Sequence, residues 1–278
     1  MTYTIYKNEN VNRALKTAGK FGFISQAVFW NHICRLKKSE NYRNWQYLLN
    51  SSYFRHYALP YRHLYVSRKG ILALQETNNI CTGKANPVQF EHDELVMTMA
   101  LACENDGLIK SDWLPDRTLK EIPNLDFARI CGVRLKKIPD LVFDLNLQHE
   151  LKRCAVEVER TRKSRDRYDS LVLSYKQMKN IDLVIIVYND RYTENSIRYS
   201  IKKLGYPQNT RPFAFCRIGD VKQNPSSFQL TVDQNIINFK ELVTNMQAMN
   251  LDDHKVITNI GRTPDRKTSP ENSPVKGS

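Results

Sequence analysis

Three carboxylates near the middle of this chain are the residues best suited to chemistry. Asp140 follows Pro139 at the start of an apolar run, and Glu157 and Glu159 stand two apart in the next run. Side chains two apart in a strand project from the same face, so Asp140 and Glu157 would meet at one end of a sheet if the two runs pair. Clustered carboxylates repel one another, and a hard divalent cation, Mg²⁺ or Mn²⁺, relieves that repulsion. We therefore predict a site for a divalent metal ion at this end of the sheet.

Basic residues crowd the segment directly after these carboxylates. They are Arg160, Arg162, Lys163, Arg165 and Arg167. Guanidinium groups beside a metal site are typical of a phosphate-binding track, and a helix beginning at Ser164 would add backbone N–H donors. The alternative is a charged helix exposed to solvent.

Alternating helices and strands between residues 91 and 218 must position these groups. The predicted elements are a helix over 91–104, strands over 108–113, 137–144 and 152–159, a helix over 164–178, a strand over 182–188, a helix over 194–203 and a strand over 212–218. We expect 137–144 and 152–159 to form an antiparallel pair. The run 182–188 is apolar throughout, as in a strand covered on both faces. This order predicts an α/β fold with a mixed sheet flanked by helices.

The first 80 residues have the pattern of a winged helix. Three short helical segments near 11–20, 25–33 and 41–49 precede an aromatic, β-branched ribbon over 53–70, and in that fold the third helix enters the DNA major groove. Predicted base-reading residues are Arg43, Asn44 and Gln46. Predicted phosphate contacts on the ribbon are Arg55, Arg62, Arg68 and Lys69.

The charge distribution supports a nucleic-acid partner. Residues 1–90 hold 13 Lys/Arg against 3 Asp/Glu, residues 91–254 hold 24 of each, and residues 255–278 hold 5 against 2, within a net charge of +13. A basic end beside a neutral body is typical of a segment that meets phosphate. We predict a winged-helix domain over 1–80, a linker over 81–90, a second domain over 91–251 and a disordered basic tail over 252–278.

No signal peptide, membrane span or zinc spacing of Cys and His is apparent, so we expect a cytoplasmic protein without membrane insertion.

The carboxylate pattern, preceded by a helix that carries Glu94, resembles the PD-(D/E)xK nuclease superfamily over residues 91–218. The resemblance implies metal ligation by Glu94, Asp140 and Glu157. Glu159 stands where that motif usually has lysine, and Lys163, or less directly Lys152, would take the role of the lysine. The segments Glu91-His-Asp-Glu-Leu-Val, Ile138-Pro-Asp140, Val156-Glu-Val-Glu and Arg167-Tyr168 are similar to those of MobC-type relaxases of mobilizable plasmids. That similarity implies nicking of one DNA strand at a plasmid transfer origin, with accessory mobilization and coupling proteins as further partners.

Two features depart from the better-known relaxases, which use a His-hydrophobe-His metal motif and a tyrosine nucleophile. No two histidines here stand two residues apart. His92 is expected either to line the site or to pair with a neighbouring acid. Tyr168 is a candidate nucleophile, but a metal-bound water is favoured because nothing local marks an activating base.

Two other functions stay open at this stage. One is a restriction-like or anti-phage DNA endonuclease that uses the same site. The other is a non-catalytic winged-helix regulator of plasmid replication, in which Pro-Asp is an ordinary turn and Glu-Val-Glu an ordinary strand face.

Overall fold

A computed structural model of the chain describes residues 9–56, 62–77, 79, 81–82, 85–109, 112–133, 137–147, 150–208, 211–232 and 235–248. The predicted basic tail over 252–278 lies outside these residues. The first elements are α1 (Glu9–Phe21), β1 (Phe23–Ser25), α2 (Gln26–Val28) continued by a π-helical segment (Phe29–Cys34), α3 (Lys38–Asn50), β2 (Phe54–His56), β3 (His63–Val66) and α4 (Arg68–Glu76). We call residues 9–77 the N-terminal unit.

The N-terminal unit contains an antiparallel sheet in the order β1-β3-β2. The predicted ribbon is present as β2 and β3, but it ends earlier than expected. Ser67 caps α4 by accepting a hydrogen bond from the amide of Gly70 at 3.1 Å. Arg68 and Lys69 therefore lie in the first turn of a helix and not on the ribbon, which corrects their predicted placement.

The second part of the chain builds a seven-stranded mixed sheet. Its elements are a 3₁₀ turn (Pro87–Gln89), α5 (Phe90–Asn105), β4 (Leu114–Pro115), α6 (Asp116–Glu121), α7 (Asn124–Cys131), β5 (Leu141–Leu147), β6 (Glu150–Glu159), α8 (Arg165–Gln177), β7 (Leu183–Tyr188), α9 (Arg191–Lys203), β8 (Phe213–Arg217), α10 (Ile218–Gln223), β9 (Gln229–Val232), β10 (Asn235–Asn238) and α11 (Phe239–Ala248). The strand order is β10-β9-β8-β7-β6-β5-β4. Strands β5 and β6 are antiparallel as predicted, and β6, β7 and β8 run parallel.

Helices cover both faces of this sheet, because alternate strand residues enter two separate apolar cores. Phe143 and Val156 pack on the side of α5, α10 and α11. Val142 and Ala155 pack on the side of α8 and α9. The protein is therefore a mixed α/β fold with a helix-flanked sheet. Among the described helices, none is long and apolar enough to cross a membrane.

Several short elements differ from the sequence prediction. The strand expected over 108–113 is reduced to a single bridge between Ile109 and Leu145, and the strand that follows is β4. Helices α6 and α7 and all elements after β8 were not predicted. These helices have 6 and 8 residues, which is too short for a clear 3.6-residue period.

The N-terminal unit and the sheet share one continuous core. Phe90 at the start of α5 lies 4.3 Å from the ring of Phe23 and stacks on His63 at 4.5 Å. In the predicted linker, the Thr82 hydroxyl is buried and donates to the carbonyl of Lys20 at 2.8 Å. Thr82, Ala85 and Phe90 of the predicted linker are therefore buried in the protein, whereas residues 86–89 are exposed.

Candidate active site

Asp140 and Glu157 lie opposite one another at one end of the β5–β6 pair. Leu141 pairs with Val156, so one residue further along the register sets Asp140 against Glu157. The backbone closes this end: the amide of Asp140 donates to Val156 O at 3.1 Å, and the amide of Val158 donates to Asp140 Oδ2 at 2.8 Å. The strand pairing thus brings the two predicted carboxylates to one place, as the sequence indicated.

Asp140 is held from the other side by helix α5. Oδ2 of Asp140 lies 3.2 Å from Nε2 of His92, whose Nδ1 lies 3.1 Å from Asp93. Arg117 in turn contacts Asp93 at 3.2 Å. His92 therefore both lines the site and pairs with neighbouring acids, which joins the two expected roles in one arrangement.

This chain of charges shifts the pKa values of its members. Burial alone would lower the pKa of His92, but hydrogen bonds to Asp140 and Asp93 raise it to about 10, so the ring is an imidazolium at neutral pH. Burial alone would raise the pKa of Asp140, whereas His92, the nearby Lys137 and the Val158 amide lower it below its ordinary value. Asp140 is thus a carboxylate with a fixed orientation.

Glu157 lies deeper than Asp140 and is only 1% exposed. The hydroxyl of Tyr175 on α8 donates to its Oε1 at 2.6 Å, and Lys137 Nζ lies 2.8 Å from its Oε2. Burial and the negative charge of Asp140 raise the pKa of Glu157 to about 8. The Glu157 carboxyl group therefore changes its protonation state close to neutral pH.

Lys137 is the residue of this site that the sequence reasoning missed. It precedes the Ile-Pro-Asp segment, and its ammonium faces Glu157 while remaining one-third exposed. Burial lowers its pKa, but the charges of Glu157, Asp140 and Glu159 outweigh that effect and raise it. Lys163 was predicted to take the role of the motif's lysine, which stabilises charge on a phosphate, and Lys137 is a second cation near these carboxylates. No strand or helix period marks Lys137 in the sequence, where it is distinguished only as part of a lysine pair just before the Pro-Asp turn.

Glu159 and Lys163 form a neighbouring pair. Lys163 Nζ lies 2.7 Å from both carboxylate oxygens of Glu159 and donates to Oε1. Lys163 thus neutralises the buried Glu159 carboxylate in the structure.

Tyr168 is buried in the core between α8 and α9 and does not line the site. Its hydroxyl accepts from the amide of Lys163 at 3.0 Å and lies 3.3 Å from Thr193 Oγ1. A phenol enclosed in this way cannot reach a phosphodiester, so its predicted role as a nucleophile is wrong for this conformation.

Glu94 faces away from the carboxylate pair. Its Oε1 lies 3.0 Å from Nε2 of His63 on β3. Burial raises the pKa of Glu94, but hydrogen bonds from His63 and Ser25 lower it overall. Residues two apart on a helix differ by about 200° in direction, so His92 and Glu94 cannot both face Asp140. The expected metal ligation by Glu94 is therefore corrected to a contact with the N-terminal unit.

The donor chemistry fits a hard divalent cation with few protein ligands. Across the described ranges, no group of three or more His, Cys, Asp or Glu side chains is placed to hold a metal. Mg²⁺, however, is often held by one or two carboxylates with waters and substrate phosphates completing its shell. Asp140, which is 16% exposed, and Glu157, whose oxygens here contact Tyr175 and Lys137, are the two carboxylates that such a cation would use.

The predicted arginine track lies on the surface beside this end of the sheet. Arg160 pairs with Glu91 of α5. Arg162 lies 3.3 Å from Asp190 and 5.0 Å from the ring of Tyr192. Arg165 and Arg167 are exposed in the first turn of α8. The cations are accessible to solvent, as a phosphate track requires.

The predicted DNA-reading residues of α3 differ in their accessibility. Arg43 is 76% exposed. Gln46 is half-buried. The amide of Asn44 turns inward, donating to Glu40 O at 2.9 Å and contacting Cys34 Sγ at 3.4 Å, so it is engaged within the protein. On the ribbon side, Arg55 and Arg62 are exposed at β2 and just before β3.

The first turn and a half of α5 connects these parts. Phe90 and Glu94 both contact His63 on β3. Between them in sequence, Glu91 contacts Arg160, and His92 contacts Asp140. Asp93 contacts Arg117 of α6. The base of the hairpin, the arginine track and the carboxylate pair therefore gather around one helix end.

No protein-family model, curated protein or solved structure matches this chain.

Proposed function

We propose that this protein binds DNA and cleaves it in a reaction that depends on Mg²⁺ or Mn²⁺. The observation that carries the proposal is the opposition of Asp140 and Glu157 across β5 and β6, with Lys137 in contact with Glu157. Two carboxylates and a lysine at one sheet end form the constellation expected of a PD-(D/E)xK nuclease. Around them the elements run α5-β4-α6-α7-β5-β6-α8-β7. Apart from α6 and α7, which the sequence did not predict, this is the helix and strand order that the resemblance implies.

In this proposal, Asp140 and Glu157 would hold the cation, whose chemistry would be to polarise the scissile phosphate and to activate water. His92 keeps Asp140 oriented. Lys137 places positive charge where negative charge develops on the phosphate. Arg160 and Arg162 hold the flanking backbone of the DNA.

The N-terminal unit serves as the DNA-binding part and has the element order of a winged helix. The exposed Arg43 on α3 would meet base edges, and Arg55 and Arg62 would meet phosphates. The similarity to MobC-type relaxases favours a plasmid transfer origin as the target and nicking of one strand as the outcome.

The test is incubation of the full chain with supercoiled plasmid, with and without a transfer origin, in Mn²⁺ or Mg²⁺. We expect nicked circles from the parent chain and none from Asp140→Asn or Glu157→Gln, while DNA binding in EDTA persists. The surface variant Asp126→Asn, half-exposed on α7, should cut like the parent. Cutting by both active-site variants at the parental rate refutes the metal site. Linear product would indicate a restriction-like enzyme instead.

A non-catalytic DNA-binding regulator is the second candidate. One observation favours it: both oxygens of Glu157 are bonded to Tyr175 and Lys137 within the protein. DNA binding without cutting in either metal would support this function.

A further inference from the structure

Two exposed tyrosines on α9 each lie beside an arginine from the region that follows the carboxylate site. Arg162 Cζ lies 5.0 Å from the ring centre of Tyr192, and Arg165 Cζ lies 5.7 Å from that of Tyr199. The tyrosines are 43% and 57% exposed, so their rings are accessible from solvent. We call these four residues the α8–α9 strip.

The contacts of the strip follow one another in the same order along two helices that lie side by side, α8 and α9. Arg162 meets Tyr192, Arg165 meets Tyr199, and Asp169 then meets Lys203 at 2.6 Å. Tyr192 and Tyr199 are seven residues apart on one helix, which is about 10.5 Å of rise. That distance equals about three nucleotide steps at ~3.4 Å per step in one strand.

The charge of this region matches a polyanion. Residues 159–203 hold eleven Lys/Arg against six Asp/Glu. Several of the acids are already engaged: Asp169 by Lys203, Glu194 by Arg198, and Asp190 by the first amides of α9. The residual positive charge is available to a phosphate backbone.

From these observations we propose that the α8–α9 strip binds single-stranded DNA, with bases on Tyr192 and Tyr199 and phosphates on Arg162 and Arg165. Aromatic rings interleaved with cations are the arrangement that binds unpaired nucleotides, because each base offers a face for stacking. Bases inside a duplex are already stacked on one another and offer no such face. A strand with unpaired bases is thus the occupant that uses both the rings and the charges.

The inference deepens the proposed function, and it rests on that function only in taking the bound strand to lead to a cleavage site. The strip begins three residues after Glu159, and Lys163 within that segment contacts Glu159 itself. A strand lying along the strip would therefore run to the carboxylate site. Binding to the strip needs no cleavage, so the two proposals can fail separately.

The experiment measures binding of the full chain in EDTA to a fluorescein-labelled oligothymidylate of about 20 nucleotides and to a hairpin duplex of similar length, by anisotropy. We expect Tyr192→Ala and Tyr199→Ala each to weaken single-strand binding about fivefold or more, with duplex binding unchanged within about twofold. Tyr192→Phe and Tyr199→Phe should retain single-strand affinity within about twofold, because the stacking face is kept.

Ile236→Ala, which alters a 71% exposed residue on β10, is the matched surface control and should bind like the parent. Thermal melting checks that each variant folds. A variant that carries both Tyr192→Ala and Tyr199→Ala gives the decisive result. The proposal is overturned if this variant keeps parental single-strand affinity or loses duplex and single-strand affinity equally. It is also overturned if the parent chain does not bind the oligothymidylate. None of these outcomes depends on whether Asp140 supports cutting.

Discussion

Nε2 of His92 lies 3.2 Å from Oδ2 of Asp140. This contact joins helix α5 to the residue that precedes β5, and it fixes the orientation of the Asp140 carboxylate. The same oxygen accepts the Val158 amide. Asp140 is therefore positioned by both a strand and a helix before any ligand binds. This preorganisation is the basis of the first prediction.

His92→Gln should weaken cleavage by lowering the apparent affinity for Mn²⁺ about 10- to 100-fold, as expected when a partner that orients a metal ligand is lost. The measurement is the Mn²⁺ dependence of the nicking rate. His56→Gln, on the exposed part of β2, is the matched histidine control. Equal Mn²⁺ dependence in parent and His92→Gln would contradict the positioning role.

The His92 pair also predicts a pH dependence of stability. The pKa of His92 is raised from 6.5 to about 10 in the folded state, so its stabilising contribution is complete below pH 6.5 and is lost as the pH rises through about 10. The melting temperature of the parent should therefore fall between these pH values, and His92→Gln should show a smaller decline. Parallel curves for parent and variant would contradict the raised pKa.

Glu157 predicts a second, lower pH window. Its pKa is raised from 4.5 to about 8 by burial and by Asp140, so the folded state binds a proton that the unfolded chain releases between these pH values. The free energy of unfolding should fall as the pH rises from about 4.5 to about 8. Glu157→Gln, which is neutral throughout, should flatten this decline in urea denaturation series. Identical slopes would show that Glu157 ionises normally.

Lys137 and Lys163 can be ranked by their contacts. Lys137 contacts Glu157 and is close enough to Asp140 and Glu159 for their charges to raise its pKa, whereas Lys163 contacts Glu159. Lys137→Ala should lower the nicking rate about 100-fold or more, in the range for loss of a group that stabilises developing charge. Lys163→Ala should have a smaller effect, and Lys152→Ala is the control. A larger loss for Lys163→Ala would restore the assignment made from sequence.

Gly70 predicts a local effect on stability. A Cβ there would lie 2.5 Å from the carbonyl oxygen of Tyr53 and 2.7 Å from Val66, so Gly70→Ala should destabilise the protein by about 1–3 kcal/mol. Gly219 on α10 has open space around a Cβ, and Gly219→Ala should stabilise by up to about 1 kcal/mol. Thermal melting of both variants tests the pair, and a neutral Gly70→Ala would contradict the close approach.

The long elements were predictable because their patterns are strong. The apolar run of β7 and the alternation in β5 and β6 indicated a mixed sheet and brought Asp140 against Glu157. Lys137 was not predictable in the same way. Its ammonium reaches Glu157 only because residues 137–140 lead into the start of β5, and no strand or helix period encodes that path.

Glu94 and Tyr168 show the same limit for helices. The residue types suited a metal ligand and a nucleophile, but their directions depend on how α5 and α8 are rotated against their neighbours. His63 and Thr193, which receive these side chains, are distant in sequence from them. Such tertiary partners carry no local signal.

The shared core between the N-terminal unit and the sheet has one more consequence. Phe90 stacks on His63 and Thr82 is buried, so packed side chains join the two parts of the molecule. If the N-terminal unit binds DNA and the sheet end cleaves it, as we propose, the number of base pairs between the bound sequence and the cleaved bond would be fixed by the protein.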